Sequence, residues 1–139
     1  LGIVNISIYQ KDHRCIQDMI AKLLTFSSDP AKYSYEIPNI LDRTNAKLYI
    51  HLITEDATIY NQLSNLGIPE IHQATARICD EAMVLTKEWN RYFARWSTIE
   101  KIKKKPDDFT TETQSLITKI KKKITVEESL LFPLAEKYL

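Results

Sequence analysis

The sequence has 139 residues, 44% of them hydrophobic, a size that fits one compact domain over residues 1–139 with a core of its own. Its 19 Lys and Arg residues nearly balance 18 Asp and Glu residues, for a formal net charge of +1, which disfavours nucleic acid and membrane surfaces as partners. Two glycines are too few for an all-β fold or for a glycine-rich phosphate loop.

The cysteine content and the hydropathy pattern bear on where the protein works. Two cysteines in a chain of this length do not make a disulfide framework, which favours a reducing, cytoplasmic setting. No apolar run approaches the roughly 18 residues of a membrane span, and residues 1–8 lack the features of a signal peptide. We therefore expect a cytoplasmic protein. Because the sequence starts with Leu1, processing or a flanking domain outside it stays open.

Proline-containing breaks divide the chain into four stretches with helical periodicity. The breaks lie at residues 27–30 together with Pro38, at residues 67–69 and at residues 105–108. Within each stretch apolar residues recur every three or four positions, as they do on one face of an α-helix. Four helices joined by short turns pack most simply as an up-down-up-down four-helix bundle, and we predict this all-α fold.

The apolar faces of the first two predicted helices contain residues that can bind metals. In the first helix, His13 lies in the stripe between Tyr9 and Ile16. In the second helix, His51 and Glu55 are four residues apart, so imidazole and carboxylate project from one face toward one point. An HxxxE spacing is weak evidence alone, and its weight depends on the other helices.

The third and fourth predicted helices contain similar residues. Pro69 suits the first turn of the third helix, and we place His72 in its inward stripe, with Cys79 and Met83 further along. In the fourth helix, Lys123 and Glu127 interrupt the apolar stripe. In an antiparallel bundle with a rise of about 1.5 Å per residue, the histidines and carboxylates of all four helices then lie at one end.

The two halves of the sequence resemble each other. Residues 51–56 (HLITED) match residues 123–128 (KITVEE), and the segments that end at His13 and His72 also correspond. Each half is thus a helix with a histidine followed by an (H/K)xxxE helix. This repeat predicts a helix pair folded against its copy, a pseudo-twofold arrangement that suits a two-metal centre.

These patterns resemble the hemerythrin-like HHE cation-binding family, in which H, HxxxE, H and HxxxE follow one another on four helices. The segment VEESLLFP at residues 126–133 is similar to the closing segment of that family, and the resemblance covers nearly the whole chain. It implies non-haem iron, one or two ions, as the cofactor. The metal ligands that it implies are His13, His51, Glu55, His72 and Glu127.

The chain departs from the family pattern at Lys123, which occupies the position of the fourth ligand histidine. A protonated lysine has no lone pair to donate, and its charge repels a nearby cation. We therefore expect a degenerate second metal position. A metal-free site in which the ammonium of Lys123 lies between Glu55 and Glu127 is the alternative, because it would also compensate the buried carboxylates.

The family resemblance implies binding of dioxygen or nitric oxide, or sensing or storage of iron or oxygen, rather than turnover of an organic substrate. A nucleophile with an adjacent base is not evident in the sequence, so an enzyme is the less favoured interpretation. Two alternatives remain at this stage. One is a metal-free bundle that serves as an interaction module for a protein partner, and the other is a di-iron redox enzyme, which Lys123 disfavours.

Overall fold

The computed structural model describes residues 4–139, apart from the side chains of residues 56 and 57. The helices in chain order are α1 (Ile6–Ser27), α2 (Ile37–Glu55), α3 (Asn61–Ser64), α4 (Pro69–Arg95), α5 (Ile99–Lys104), α6 (Pro106–Val126) and α7 (Phe132–Tyr138). The described part of the chain contains no β-strand. The predicted all-α fold is confirmed.

Two π-helical turns join pairs of these helices into longer rods. The turn Asp56–Tyr60 connects α2 to α3, and the turn Glu127–Leu131 connects α6 to α7. The four long segments of the predicted bundle are therefore α1, α2 with α3, α4, and α6 with α7. The π turns fall at matching places in the two halves, directly after Glu55 and at Glu127, so the sequence repeat is also a structural repeat.

The long segments pack in the order of a four-helix bundle. Helix α1 lies between α2 and α6, while α4 contacts α6 on one side and the first π turn with α3 on the other. Gly67, with φ at +77°, allows the tight turn from α3 into α4, and Pro69 begins α4 as predicted. Among the described residues, no helix combines the length and the apolar character needed to cross a lipid bilayer.

The core consists of two clusters at opposite ends of the bundle. The cluster that we call the apolar end joins aliphatic and aromatic residues of α1, α2, α4, α5 and α6, among them Ile20, Leu23, Trp89, Tyr92, Trp96, Ile102, Phe109 and Ile117. The cluster that we call the site end includes Ile6, Tyr9, Ile59, Tyr60, Leu63, Ile71, Ile78, Leu131, Phe132 and Ala135. The buried histidines and glutamates of the described chain adjoin the site end.

The predicted inward face is confirmed for α1 and is wrong for α4. Helix α1 buries Ile6, Tyr9, His13, Ile16, Ile20 and Leu23. Helix α4 buries Ile71, Thr75, Ile78, Ala82, Trp89 and Tyr92, whereas His72 and Met83 are exposed. The predicted inward face is displaced by about one residue from the buried face of α4, because the prediction placed His72 inward. The large apolar side chains of Ile71, Ile78 and Trp89 instead determine which side of the helix is buried.

Candidate metal centre

Four buried side chains from three helical segments converge at the site end. His13 comes from α1, His51 and Glu55 come from α2, and Glu127 begins the second π turn. One potential ligand atom from each lies within 4.8 Å of the other three, and each residue is at most 2% exposed. Two imidazole nitrogens and two carboxylates around one point form a donor set that suits a divalent metal ion.

Several of these polar atoms have no hydrogen-bond partner within the described chain. They are Nε2 of His51 and both carboxylate oxygens of Glu55, although Nε2 of His51 is in contact with Oε1 of Glu55. Burial of such atoms without a partner costs about 1–3 kcal/mol each, and more for a charged group. A cation at the centre would satisfy them together, so the side chains present fit a bound metal.

Carboxylates outside the cluster orient both imidazole rings. Nδ1 of His51 lies 3.2 Å from Oδ2 of Asp12, and Nδ1 of His13 lies 2.8 Å from Oε1 of Glu128. Each ring can donate its Nδ1 proton to the carboxylate and keep the lone pair of Nε2 directed inward, as metal-bound histidines commonly do. Asp12 is itself held by Nζ of Lys47 at 2.6 Å.

Glu127 has the most contacts in the centre. Its Oε1 lies 2.8 Å from Nε2 of His13, and its Oε2 accepts hydrogen bonds from Tyr60 at 2.7 Å and from Lys123 at 2.6 Å. Burial raises the pKa of Glu127, but the contacts with His13, His51 and Lys123 outweigh it and hold the pKa well below the usual range. Glu127 is therefore a carboxylate anion.

The pKa values of Glu55 and His51 are raised, in contrast to that of Glu127. Burial raises the pKa of Glu55, with the neighbouring charge of Glu127 adding to the effect. Burial lowers the pKa of His51, but the carboxylates of Glu127 and Glu55 outweigh it and raise the pKa to about 9. Without a metal, the pair therefore tends to keep a proton between imidazole and carboxylate, in the place where a cation would interact with both.

Lys123 places an amino group beside the cluster. Its Nζ lies 2.6 Å from Oε2 of Glu127 and 3.8 Å from Oε1 of Glu55, and its side chain is only 13% exposed. The ammonium thus lies between the carboxylates of Glu127 and Glu55. It neutralises part of their charge without any metal.

His72 does not join the cluster. It is exposed on α4, and its Nδ1 lies 3.3 Å from the backbone oxygen of Ser64. The inward positions of α4 near this end are instead Ile71, Thr75 and Ile78, and Oγ1 of Thr75 lacks a hydrogen-bond partner within the described chain. Of the five ligands predicted from the sequence, the structure brings together His13, His51, Glu55 and Glu127.

A small cavity adjoins the cluster. It has a volume of about 30 Å³ and is bordered by His13, His51, Glu127 and Lys123 on one side. Apolar side chains form most of the remaining wall, among them Ile16, Leu48, Leu52, Ala82, Leu85, Trp89, Ile120 and Ile124. A single water needs about 10–15 Å³ of such space, so the cavity accommodates two or three non-hydrogen atoms.

Sequence reasoning missed the residues that support the ligands. Asp12 and Glu128 are adjacent to His13 and Glu127 in the sequence, and each bonds a histidine on another helix. A carboxylate next to a candidate ligand is a signal that could have identified them. Tyr60 could not be assigned from periodicity, because a π turn places it against Glu127.

Comparison with known proteins agrees with this geometry. The family model described as the hemerythrin HHE cation binding domain matches residues 4–135, nearly the full chain. Searches of curated proteins and of solved structures give no match. With its four-helix bundle and its buried histidine and glutamate cluster, the chain belongs to the hemerythrin HHE cation-binding family.

Proposed function

We propose that the protein holds one iron ion between His13, His51, Glu55 and Glu127 and uses it to bind or sense a diatomic ligand such as dioxygen or nitric oxide. The observation that carries this proposal is the convergence of four buried ligand atoms within 4.8 Å of one another, in which Nε2 of His51 and the oxygens of Glu55 have no partner beyond their contact with each other. Because the rings of His13 and His51 are already oriented by Glu128 and Asp12, their Nε2 atoms need no rearrangement to act as ligands.

The charge of the centre supports one ion rather than two. The carboxylates of Glu55 and Glu127 and the ammonium of Lys123 sum to −1, since −2 and +1 give −1. One divalent cation brings this sum to +1, whereas two would bring it to +3 in a buried site, where unbalanced charge is strongly unfavourable. In addition, His72 points away from the centre, so a second ion would lack imidazole ligands from both α4 and α6.

The donor set supports iron. Imidazole nitrogens combined with carboxylate oxygens suit iron, as they suit other divalent first-row metals, and it is the family that favours iron among them. When bound, iron supplies a redox-active Lewis acid that can bind a diatomic molecule. The residues of the chain supply the rest, since Tyr60 and Lys123 provide hydrogen-bond donors and the apolar wall limits the access of water.

The cavity supports a ligand of two or three atoms. Its volume of about 30 Å³ leaves no room for an organic substrate beside the cluster. Three of the proposed metal ligands border this cavity directly, as does Lys123. A ligand that enters it is therefore next to the proposed iron site and next to a cationic hydrogen-bond donor.

Iron stoichiometry tests the proposal. We expect close to one iron per chain after anaerobic reconstitution of the wild-type protein, and loss of that iron in His51→Ala. His72→Ala is the matched control, because it removes an imidazole of the same helical bundle that lies outside the cluster, and it should retain iron. Loss of iron in His72→Ala, or two irons per wild-type chain, would contradict the proposed ligand set.

A metal-free interaction module is the second candidate. The salt bridge of 2.6 Å between Lys123 and Glu127 favours it, because it compensates one buried carboxylate without a metal. The two candidates differ in a thermal shift experiment, since a ligand that binds only the folded state raises the melting temperature. If ferrous iron neither binds nor changes the melting temperature, the interaction module becomes the better account.

A further inference from the structure

The small cavity beside the proposed metal site lies next to a larger groove on the surface between α4 and α6. The groove has a volume of about 190 Å³. Ala82, Leu85 and Lys123 border both the groove and the inner cavity. These three side chains, which we call the throat, therefore form the wall between the groove and the inner cavity.

The throat is formed by side chains that can move aside. Ala82 contributes one methyl group, and Leu85 is half-buried. Lys123 is a long unbranched side chain that bonds the centre through its Nζ and is partly exposed. Rotamer changes of partly exposed side chains are fast, so this wall can open transiently without movement of a helix. By contrast, Ile120 and Ile124 on the α6 side of the cavity are buried.

We propose that small uncharged molecules reach the centre from this groove, through the throat of Ala82, Leu85 and Lys123. The route rests on the proposed function for its biological meaning, because the ligand that would use it is the diatomic molecule proposed above. The ammonium of Lys123 repels cations at this point, whereas an uncharged ligand meets mostly apolar surface along the path, although charged side chains also line the groove. Lys123 thus both balances the carboxylates and borders the entrance.

A test that needs no metal uses the two tryptophans. Both tryptophans belong to the apolar end, but Trp89 also lines the inner cavity, whereas Trp96 borders neither the groove nor the cavity. In a Trp96→Phe background, quenching of Trp89 fluorescence by dissolved dioxygen measures how readily dioxygen enters the cavity of the metal-free protein. Iodide, which is larger and charged, measures exposure of the same indole to solvent.

Alanine variants of two matched leucines distinguish entry through the throat from entry elsewhere. Leu85 and Leu52 are both half-buried and both line the cavity, but among this pair only Leu85 also lines the groove. We expect Leu85→Ala to raise the dioxygen quenching constant about fivefold, equivalent to a barrier lower by about 1 kcal/mol, while Leu52→Ala changes it less than about twofold. Iodide quenching should rise far less than dioxygen quenching in Leu85→Ala.

Several outcomes would overturn the route. An equal or larger effect of Leu52→Ala would place the entrance between α2 and α4. A parallel rise in iodide quenching would mean that Leu85→Ala only exposes Trp89. Leu85→Phe narrows the throat without removing core volume, and it serves if the alanine variant fails to fold. We expect it to lower the dioxygen quenching constant, and an unchanged constant would contradict the proposal.

The iron-loaded protein provides a second readout. An altered throat should change the association and dissociation rates of nitric oxide in the same direction, because a lower barrier speeds both entry and escape. A change in the dissociation constant alone would contradict a role in access. If the protein fails to load iron while the quenching results hold, the proposed function fails and the route stands. If the protein loads iron but substitution of Leu85 does not change the quenching constant, the route fails and the proposed function stands.

Discussion

The two ends of the bundle are stabilised in different ways. At the apolar end, Trp89, Tyr92, Trp96 and Phe109 pack together with ring centroids 5.3 to 6.1 Å apart in successive contacts. At the site end, two imidazoles and two carboxylates are buried within 4.8 Å of one another. The first arrangement gains free energy from burial of apolar surface, whereas the second requires a cation to balance buried charge.

This difference indicates which parts of the protein support the fold and which support function. Both π-helical turns lie at the site end, one directly after Glu55 and one starting at Glu127. Such turns are less favourable than regular α-helix and occur often at functional sites. The apolar end supplies stability that allows the site end to contain charges, free lone pairs and irregular backbone. The following predictions test how independent the two ends are.

The largest expected effect is at the apolar end. Phe109 is fully buried and packs against Tyr92 and Trp96. Phe109→Ala should lower the free energy of unfolding by about 3–5 kcal/mol through lost burial and a residual cavity. Urea unfolding with and without bound iron should give the same loss, because the site end is not altered. A loss that depends on iron would show that the two ends are coupled.

Removal of the Lys123 ammonium should lower the free energy of unfolding nearly as much as Phe109→Ala. Lys123→Met keeps the apolar stem and leaves Glu127 and Glu55 without the ammonium, which we expect to destabilise the metal-free protein by about 3 kcal/mol. Lys119→Met is the matched control one turn earlier on α6, where an exposed lysine pairs with Glu88 at 2.8 Å and the expected loss is below about 1 kcal/mol.

Urea unfolding of both lysine variants checks this prediction. Bound iron should reduce the loss in Lys123→Met, because the metal then neutralises the same carboxylates. An equal loss in the two variants would mean that Lys123 acts only as a surface residue.

The fold was largely predictable from the sequence because apolar periodicity and proline positions are local signals. The stripe of α1, the HxxxE spacing of α2 and the start of α4 at Pro69 all follow from them. His72 was misplaced because two adjacent residues of a helix point about 100° apart, and the prediction favoured the histidine over Ile71. Packing of several helices, rather than the pattern of one, determined the rotation of α4.

The candidate site was predictable in part for the same reason. His13, His51, Glu55 and Glu127 could be selected by their spacing, and the structure brings them together. The contacts of Asp12 with His51 and of Glu128 with His13 join residues far apart in the chain, so no local pattern encodes them. Likewise, the position of Tyr60 depends on a π turn, for which helical periodicity gives no signal.

The pH dependence of the metal-free protein should come from the site end. The neighbouring carboxylates raise the pKa of His51 to about 9 in the folded state, above its ordinary value of 6.5. The folded state therefore binds the proton more tightly, and this contribution is fully present below pH 6.5 and is lost as the pH rises through about 9. We expect the free energy of unfolding to fall by about 3 kcal/mol across this window.

Denaturant unfolding at several pH values, compared with His51→Gln, measures the effect. The variant should lose most of the decline, since it removes the group that titrates. Phe109→Ala should lower the whole curve without changing its slope, because the apolar end contains no group that titrates in this window. A slope that persists in His51→Gln would assign the effect to another group.

The smallest effect on stability should accompany one of the largest effects on metal binding. In the metal-free protein the oxygens of Glu55 have no hydrogen-bond partner apart from the contact of Oε1 with Nε2 of His51, and burial raises the pKa of this carboxyl group. Glu55→Gln removes a buried charge and keeps an amide oxygen that can accept a hydrogen bond from Nε2 of His51, so unfolding should change by less than about 1 kcal/mol. Glu127→Gln, which loses the ammonium of Lys123 as a charged partner, should lower the free energy of unfolding by about 3 kcal/mol or more.

Both variants should lose the rise in melting temperature that iron produces in the wild-type protein. If Glu55→Gln instead destabilises the metal-free protein as much as Glu127→Gln, then Glu55 belongs to the structural network, and the contrast between the two ends does not hold at this residue.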